Sequence, residues 1–488
     1  MASRLIPIAL YFLVLFVLGA VASRRVKGMS DFFVAGKRLN FWFVAFSSRA
    51  TGESGWLLHG LTGMGFAVGM NAMWVVLGEV IGVTLCWVFL VQRFKVLTDR
   101  YESITVTDYL EDRFGDTSRV IRVIATVALL IFVTAYVSAQ FAACGKAFSA
   151  FLGISHATGV IVGVVIVGFY TVAGGFIAVV WSDLFQGSLM LLGLIVLPVV
   201  GIAAAGGPSV AFETVAAIDP TLLDIWGPGG FSAKAALGAA GLVAIGLGFL
   251  GSPQLFVRFI AVKSPAEFKN GSIIAFLFTF LADMGAVITG VAGRALFTTL
   301  KDPETVLPRL AESVLPEFAI GLFMAIVLAA IMSTADSLLV LVSSAVVRDI
   351  WQKIFRPDLS DESLTRLCRY VTLAVAGVAV AFAFDPDSVI FWFVLFAWTG
   401  ITTSFCPAII ISLFWPRATR TGIAAGMLTG IATTIAWKLT LHAVIDEMIV
   451  AFTASTVVIV VVSLFTTPPP NAASDLAGAR QRVFDIWR

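Results

Sequence analysis

Charged and hydroxyl-bearing residues interrupt an otherwise apolar stretch at 47–60, which reads SSRATGESGWLLHG. Arg49 and Glu53 are four residues apart, so they lie on one face of a helix and can pair. Inside a bilayer such charges are costly and mark a functional site by default, although a purely structural ion pair is the alternative. Gly52 and Gly55 weaken the helix, and a broken helix frees backbone carbonyls that can bind a cation. The stretch is therefore a candidate site for an ion or a small solute.

A second interruption lies at 245–259, which reads IGLGFLGSPQLFVRF. Its glycines each cost about 1 kcal/mol in a helix interior, and Pro253 costs about 3 kcal/mol and lacks a backbone donor. Paired interrupted spans are typical of membrane proteins built from inverted repeats. We therefore predict two five-helix repeats of inverted topology, roughly 39–205 and 235–441, in which the second and seventh spans of the chain are broken. Glycines that only allow close helix packing are the alternative.

The composition excludes an ordinary soluble protein. Of 488 residues, 59% are hydrophobic and 13% are charged, and the mean hydropathy is +0.98. Soluble domains carry about 25% charged residues, so this chain lacks about half of the usual solubilising charge. No basic face dense enough for nucleic acid binding is present in the sequence. The cysteines and histidines are scattered, without the spacing of a disulfide framework, a metal site or an enzyme's catalytic cluster.

Windows of about 20 apolar residues predict an all-α polytopic membrane protein with about thirteen spans. Lys and Arg residues concentrate in the loops after odd-numbered spans. This pattern predicts an N-terminus outside and a C-terminus in the cytoplasm, with the protein in the cell (inner) membrane. We expect one transmembrane domain over residues 1–467, embedded in lipid, and a short, flexible cytoplasmic tail over residues 468–488.

Four segments carry a family resemblance: SGWLLHGLTG (54–63), GGFIAVVWSDLFQGSLM (174–190), GLGFLGSPQ (246–254) and AAIMSTADSLLVLVSSAVVRDIW (329–351). They resemble the sodium/proline symporter group of the sodium:solute symporter family, and the likeness runs along nearly the whole chain. The resemblance implies an inverted-repeat five-helix core. It also implies solute uptake that is coupled to inward sodium movement, with sodium as the coupling ion and no other cofactor.

The resemblance further implies a sodium site between the second and ninth spans. Its ligands would be three backbone carbonyls and two hydroxyls, from Ala50, Glu53, Ala330, Ser333 and Thr334. An oxygen cage of this kind suits a hard cation, although hydrogen bonding of Ser333 and Thr334 back to their own helix is the alternative. Asp183 matches an acidic residue on the family's ion exit route, and a charge at a helix end is the equally weighted alternative.

Charged residues depart from the family pattern around this site. Gly52 stands where the proline symporters have an aspartate, and Arg49 stands where they have a glycine. Asp336, one turn beyond the paired hydroxyls, could restore the lost charge near the cation, whereas Glu79 could hydrogen-bond as a neutral acid between helices. Arg49 could substitute for the ion, bind a substrate carboxylate or neutralise Glu53, and the sequence leaves these three roles open.

Residues at the family's substrate-pocket positions are Trp56, Tyr136, Ile245, Phe249 and Pro253. Ile245 and Phe249 replace a tryptophan and a tyrosine of the proline symporters, so an indole and a phenol hydroxyl are lost while an aromatic floor remains. A small, partly apolar solute still fits such a pocket. Ordinary core packing is the alternative for each aromatic residue.

The sequence thus predicts a secondary active transporter, not an enzyme. It predicts sodium-coupled symport of a small organic solute, with an amino acid such as proline as the best guess. A sodium-independent or proton-coupled carrier of a related solute is the first alternative. A solute-sensing membrane domain is the second, although the short tail leaves little room for a signalling domain.

Overall fold

The protein is described by a computed structural model that covers residues 2–26, 28–356, 358–385, 389–440 and 446–487. Helices form nearly all of this part of the chain, and the β structure within it is one isolated bridge between Leu39 and Val262. The predicted all-α architecture is confirmed. It follows from the apolar composition, because a helix pairs its backbone groups within its own segment and so tolerates lipid.

The helices of the first half are α1 (Ala2–Ser23), α2 (Met29–Val34), α3 (Phe41–Gly55), α4 (Thr62–Val68), α5 (Met73–Leu85), α6 (Val91–Arg100), α7 (Val106–Phe114), α8 (Val120–Ala128), α9 (Thr134–Leu152), α10 (His156–Ala204) and α11 (Pro208–Ile218). Those of the second half are α12 (Ala233–Ala244), α13 (Pro253–Ile260), α14 (Glu267–Leu296), α15 (Val306–Val314), α16 (Glu317–Ser344), α17 (Asp361–Ala381), α18 (Ile390–Phe414), α19 (Arg420–Thr440), α20 (Glu447–Leu464) and α21 (Ala472–Trp487).

In the described ranges, 11 helical segments are long and apolar enough to cross a membrane. One of them, Phe41–Arg100, has 60 residues, whereas a span requires about 20. A 3-10 turn at Gly69–Ala72 divides this segment. A shorter apolar helix, His156–Phe169, precedes a bend in α10 at Gly175. The polytopic architecture is confirmed, whereas the number thirteen stays a prediction.

The first predicted break lies at the end of α3. This helix begins after Asn40, whose side chain accepts a hydrogen bond from the Phe43 N–H at 3.3 Å. It is interrupted at Ser54, where φ is 43° and ψ is −170°. A non-glycine residue at positive φ is strained, and such strain is often found at functional sites. A π-helical turn, Trp56–Leu61, then connects the break to α4.

The second predicted break lies between α12 and α13. A 3-10 segment, Ile245–Leu250, ends at Gly251, and Ser252 is extended with φ −62° and ψ 124°. Pro253 then opens α13 at the first helical position, where its missing N–H costs nothing. Both breaks expected from the glycine and proline pattern are therefore confirmed.

Helix α5 packs backbone to backbone against the second break. A Cβ at Gly82 would lie 2.0 Å from the carbonyl oxygen of Gly246, and one at Gly246 would lie 1.9 Å from the carbonyl oxygen of Gly78. Small residues allow this approach, as is common where membrane helices meet. The glycines of 245–259 therefore serve close packing as well as the break.

The segment after residue 467 differs from the expected flexible tail. Residues Ala472–Trp487 form α21, which packs against α6. The Asp475 carboxylate accepts from the Tyr101 hydroxyl at 2.5 Å and lies 2.6 Å from the Arg100 guanidinium. The polar composition of the segment suggested disorder, but its contacts with α6 are long-range and leave no local sequence pattern.

Candidate functional site

The Ser333 and Thr334 hydroxyls of α16 face carbonyl oxygens of α3, just before the first break. The Ser333 Oγ lies 3.1 Å from the carbonyl oxygens of Ala50 and Ala330. The Thr334 Oγ1 lies 3.1 Å from the Thr51 carbonyl and 3.4 Å from that of Ala50. Both side chains are fully buried. Both hydroxyls also bond the Ala330 carbonyl of their own helix, α16. Hydrogen bonding within α16 and the approach to α3 therefore occur together.

Glu53 is the member of the predicted ligand set that lies apart from these hydroxyls. Its carbonyl accepts the Trp56 N–H in the turn after the break. Its carboxylate is hydrogen-bonded to the Arg49 guanidinium, as the spacing of four residues predicts. Four of the five predicted sodium ligands therefore meet, and the Thr51 carbonyl joins them.

A second polar group, centred on Arg258 of α13, lies one helical turn further along α16. The Arg258 Nη2 donates to the Ser337 hydroxyl at 2.5 Å and to the Thr51 hydroxyl at 2.6 Å. The same nitrogen lies 3.1 Å from the Asp183 carboxylate. Arg258 was missed from the sequence because it resembles one more basic residue at the end of a span.

Asp183 and Asp336 both border the Arg258 group. Asp183 is fully buried and also accepts from the Ser47 hydroxyl at 2.6 Å, so it is an internal, paired carboxylate rather than a charge at a helix end. Asp336 is fully buried on α16, and its Oδ1 lies 3.2 Å from the Ser337 hydroxyl. Asp336 therefore lies beside the Ser337 hydroxyl of α16, and Asp183 joins the same group through Arg258.

A third polar group joins α3, α5 and α14 through three carboxyl groups and one guanidinium. Carboxylate oxygens of Glu53, Glu79 and Asp283 lie within 4.8 Å of one another, and all three side chains are buried. The Arg49 Nη2 bonds Glu53 and lies 3.8 Å from Glu79. The Arg49 guanidinium also lies over the Phe249 ring, 4.5 Å from its centre. We call these four charged residues the acid cluster; Asp283 is the member that sequence analysis missed.

A small cavity lies between the two breaks. Its volume is about 20 Å³, which is room for about one water molecule. Four of the predicted substrate residues line it, namely Trp56, Tyr136, Ile245 and Phe249. Gly52, Glu79 and four residues of α18, Phe391, Val394, Leu395 and Trp398, complete the wall. Pro253 does not line this cavity and lies instead at the start of α13.

Polar contacts from α9 hold the first break in place beside the cavity. The Gly55 N–H donates to the Gln140 side-chain carbonyl at 3.0 Å. The Tyr136 hydroxyl donates to the Ser54 hydroxyl at 3.3 Å. Because an unwound turn loses its intrahelical hydrogen bonds, these side chains satisfy backbone and side-chain groups that would otherwise be unpaired. Gln140 was not anticipated from the sequence.

The start of α18 is held by an acidic residue from another loop. The Glu304 carboxylate accepts the backbone N–H groups of Ile390 at 3.0 Å and of Phe391 at 2.8 Å. The same carboxylate lies 2.7 Å from the Lys146 Nζ of α9. Phe391 also lines the cavity and packs edge-on against Trp56 at 6.2 Å between ring centres. The aromatic wall of the cavity is therefore tied to the loop at Pro303–Thr305.

Known proteins resemble this chain in sequence along most of its length. The family model of the sodium:solute symporter family matches residues 32–430. The high-affinity proline transporter PutP of Bacillus subtilis is 36% identical over 446 residues, which are 90% of this chain and 93% of the relative. The sodium/proline symporter of Salmonella typhimurium is 32% identical over 89% of this chain and 87% of the relative. The osmoregulated proline transporter OpuE of Bacillus subtilis is 31% identical over 89% of each chain.

Solved structures agree in fold. A Na⁺-coupled sialic acid symporter superposes with a TM-score of 0.79 at 18% identity, covering 96% of this chain and 98% of its own. Mhp1, a nucleobase-cation-symport-1 family transporter, superposes with a TM-score of 0.56 at 12% identity, covering 91% of this chain and 98% of its own. At these identities the likeness establishes the architecture of the helices and nothing finer.

Two broken helices that flank a buried polar site are typical of secondary active transporters, and the matching family and relatives place this chain in that class. Within that class, this chain belongs to the sodium:solute symporter family. The predicted family and the prediction of a transporter rather than an enzyme are confirmed.

Proposed function

We propose that this protein uses the inward sodium gradient to take up proline or a close structural analogue across the cell membrane. The substrate is supported by the relatives, which are transporters of proline. The coupling is supported above all by one observation, the approach of the Ser333 and Thr334 hydroxyls to the Ala50 and Thr51 carbonyls where α3 breaks. Oxygens from hydroxyls and carbonyls are the ligands that a hard cation prefers.

In this proposal sodium is bound by the carbonyls of Ala50 and Ala330 and the hydroxyls of Ser333 and Thr334. Glu53 joins through its carbonyl when the turn after Ser54 rearranges. Asp336 supplies negative charge near the cation and strengthens its attraction, whereas the charge of Asp183 is offset by its pair with Arg258. No cofactor other than the coupling ion is required.

The solute would occupy the cavity between the breaks. Its volume of about 20 Å³ holds about one water, so the aromatic wall must move apart before a solute can bind. A cavity that is shared by two broken helices changes shape whenever the repeats move relative to each other, which is how alternating access works in transporters of this architecture. Trp56, Tyr136, Ile245 and Phe249 would form the apolar surround of the solute.

The proposed orientation has the N-terminus outside and the C-terminus in the cytoplasm of the cell membrane. It is supported by the excess of Lys and Arg in alternate loops. Repeats over roughly 39–205 and 235–441, within one domain of residues 1–467, are supported by the occurrence of a break in the first helix of each.

Uptake of labelled L-proline into proteoliposomes, with and without an inward sodium gradient, tests the proposal. We expect uptake only with the gradient. Because each hydroxyl is a sodium ligand, Ser333→Ala and Thr334→Ala should each raise the half-saturating sodium concentration by about tenfold or more. Ser188→Ala is the matched control: its hydroxyl bonds back to its own helix at an exposed position, and its loss should leave sodium dependence unchanged.

Two results would overturn parts of this proposal. Uptake that is indifferent to sodium would favour the sodium-independent or proton-coupled alternative. If such uptake became sodium-dependent in Arg49→Gly, the arginine would stand in for the ion. An absence of proline uptake under any gradient would remove proline as the substrate and would implicate Ile245 and Phe249, where the chain departs from its relatives.

A further inference from the structure

The wall of the cavity between the breaks is aromatic, with one acidic group. Trp56, Tyr136, Phe249, Phe391 and Trp398 supply rings from four parts of the chain. Among the described residues that line the cavity, Glu79 alone carries a charge. The faces of aromatic rings attract cations, and rings around a carboxylate are a surround that suits a positively charged group.

The hydrogen-bond donors on this wall are already in use. The Trp56 indole N–H donates to the Gly52 carbonyl at 3.2 Å, and the Trp398 indole N–H donates to the Ile245 carbonyl at 2.9 Å. The Tyr136 hydroxyl donates to Ser54, as described above. A solute carboxylate in the cavity would therefore meet no free side-chain donor among the described lining residues, and burying it there would be unfavourable.

Glu79 is the acidic acceptor on the wall. No N–H group or hydroxyl of a described residue bonds its carboxylate oxygens, although the side chain is fully buried and lies beside the Glu53 carboxyl group. The Arg49 Nη2 lies at 3.8 Å, beyond hydrogen-bond distance. A buried carboxylate without a donor is costly, and a cationic N–H donor in the cavity would satisfy it.

The charges behind Glu79 point in the same direction. Glu79, Glu53 and Asp283 share one guanidinium, that of Arg49, within the acid cluster. Whenever more than one of the three carboxyl groups is ionised, the single positive charge of Arg49 leaves the cluster with a net negative charge. A positive group in the cavity is then favoured over a negative one. The aromatic wall, the occupied hydrogen-bond donors and the charge of the acid cluster thus all favour a positively charged group in the cavity.

We propose that the Glu79 carboxylate binds the cationic nitrogen of the transported solute, and that the cavity selects solutes by this nitrogen rather than by a carboxylate. The inference rests on the proposed function, because it assigns a role within the same cavity. It makes Glu79 a determinant of specificity, and it places small organic cations and zwitterions with a compact apolar body in the substrate class.

Competition against labelled L-proline uptake by two matched analogues tests this proposal on the unaltered protein. L-Prolinol keeps the ring and the cationic nitrogen and has a hydroxymethyl group in place of the carboxylate. N-Acetyl-L-proline keeps the ring and the carboxylate and has an uncharged amide nitrogen. We expect L-prolinol to compete and N-acetyl-L-proline to be weaker by about tenfold or more, because only the first offers a charge-assisted hydrogen bond. The reverse order would overturn the inference.

Glu79→Gln and Glu79→Asp test the residue itself. Glu79→Gln should weaken L-proline half-saturation about tenfold or more and reduce the preference for L-prolinol, whereas Glu79→Asp, which keeps the charge, should recover part of both. The half-saturating sodium concentration, measured with saturating L-proline, should not change. Glu213→Gln, at an exposed position of α11, is the matched control for loss of a carboxylate. A variant that shifts sodium dependence but leaves solute preference intact would overturn the assignment.

Ligand-induced thermal stabilisation of the purified protein separates this inference from the proposed function. Stabilisation by L-prolinol without uptake or binding of proline would remove the proposed substrate and support the role of Glu79. Proline uptake with an unchanged preference between the two analogues in Glu79→Gln would support the proposed substrate and remove the role of Glu79. If neither L-proline nor L-prolinol binds the unaltered protein, both proposals fall.

Discussion

The Arg49 guanidinium lies among three buried carboxyl groups, and this position narrows the roles that the sequence left open. It bonds Glu53 and covers the Phe249 ring, whereas the proposed sodium ligands Ser333 and Thr334 approach the Ala50 and Thr51 carbonyls. Neutralisation of the acid cluster is therefore the role that its contacts favour. Removing one partner of a buried charge pair leaves the other uncompensated, which is strongly destabilising.

We predict that Arg49→Gln lowers the free energy of unfolding by about 3–5 kcal/mol. The double variant Arg49→Gln with Glu53→Gln should recover part of this loss, because it removes one of the uncompensated carboxylates. Thermal unfolding of the purified protein in detergent measures both. Arg309→Gln is the control: its pair with Glu312 is 3.9 Å long and exposed, and should contribute about 0–1 kcal/mol. If Arg49→Gln and Arg309→Gln changed the free energy of unfolding equally, a stabilising role for Arg49 would be contradicted.

At the scale of helices, the contact of α5 with the second break is made by backbone atoms. Gly78 and Gly82 lie against Gly246 so closely that no side chain fits between them. Glu79, which lines the cavity, is carried on the same turn of α5. The position of the carboxylate relative to the second broken helix therefore depends on glycine at these positions.

We predict that Gly82→Ala abolishes uptake and lowers the melting temperature. The added methyl group would lie 2.0 Å from a backbone oxygen, so α5 must move away from the break. Gly377→Ala is the matched control, because a Cβ there meets nothing within 4 Å and alanine is the better helix former. Normal uptake and stability in Gly82→Ala would contradict the close packing of α5.

The helix breaks were predictable from sequence, whereas the contacts that define the site were not. Glycine and proline alter the conformation and hydrogen bonding of the backbone at their own positions, so a cluster such as 246–253 predicts a break from the local sequence alone. Arg258 bonds Thr51 across 207 positions, and Asp283 joins the acid cluster from a helix that carries no motif. Such residues show no local period or spacing. The approach of Ser333 to Ala50 was anticipated only through the family resemblance.

At the scale of the whole molecule, the C-terminal helix α21 is bound to the protein rather than free. Its Asp475 contacts Arg100 and Tyr101 at the end of α6, and its Ala479 is buried. A short hydrogen bond and a partly buried ion pair thus hold a segment whose own composition does not favour order.

We predict that Asp475→Asn exposes α21 to proteolysis and raises its amide hydrogen exchange, because the ion pair to Arg100 is lost. Asp485→Asn removes an exposed carboxylate from the same helix and should leave both unchanged. Limited proteolysis and hydrogen–deuterium exchange measure the difference. Equal protection in the two variants would show that apolar packing alone holds α21.

The attachment of α18 to Glu304 has a consequence for the speed of transport. Phe391 cannot swing away from Trp56 independently of Pro303–Thr305, because the carboxylate that binds its backbone N–H also holds Lys146 of α9. Widening the cavity on this side must therefore either break charge-assisted hydrogen bonds in one concerted event or carry the loop along with the helix. In the first case breaking these bonds adds to the activation barrier for solute release. In the second case the loop moves together with α18, so contacts made by the loop alter the turnover rate.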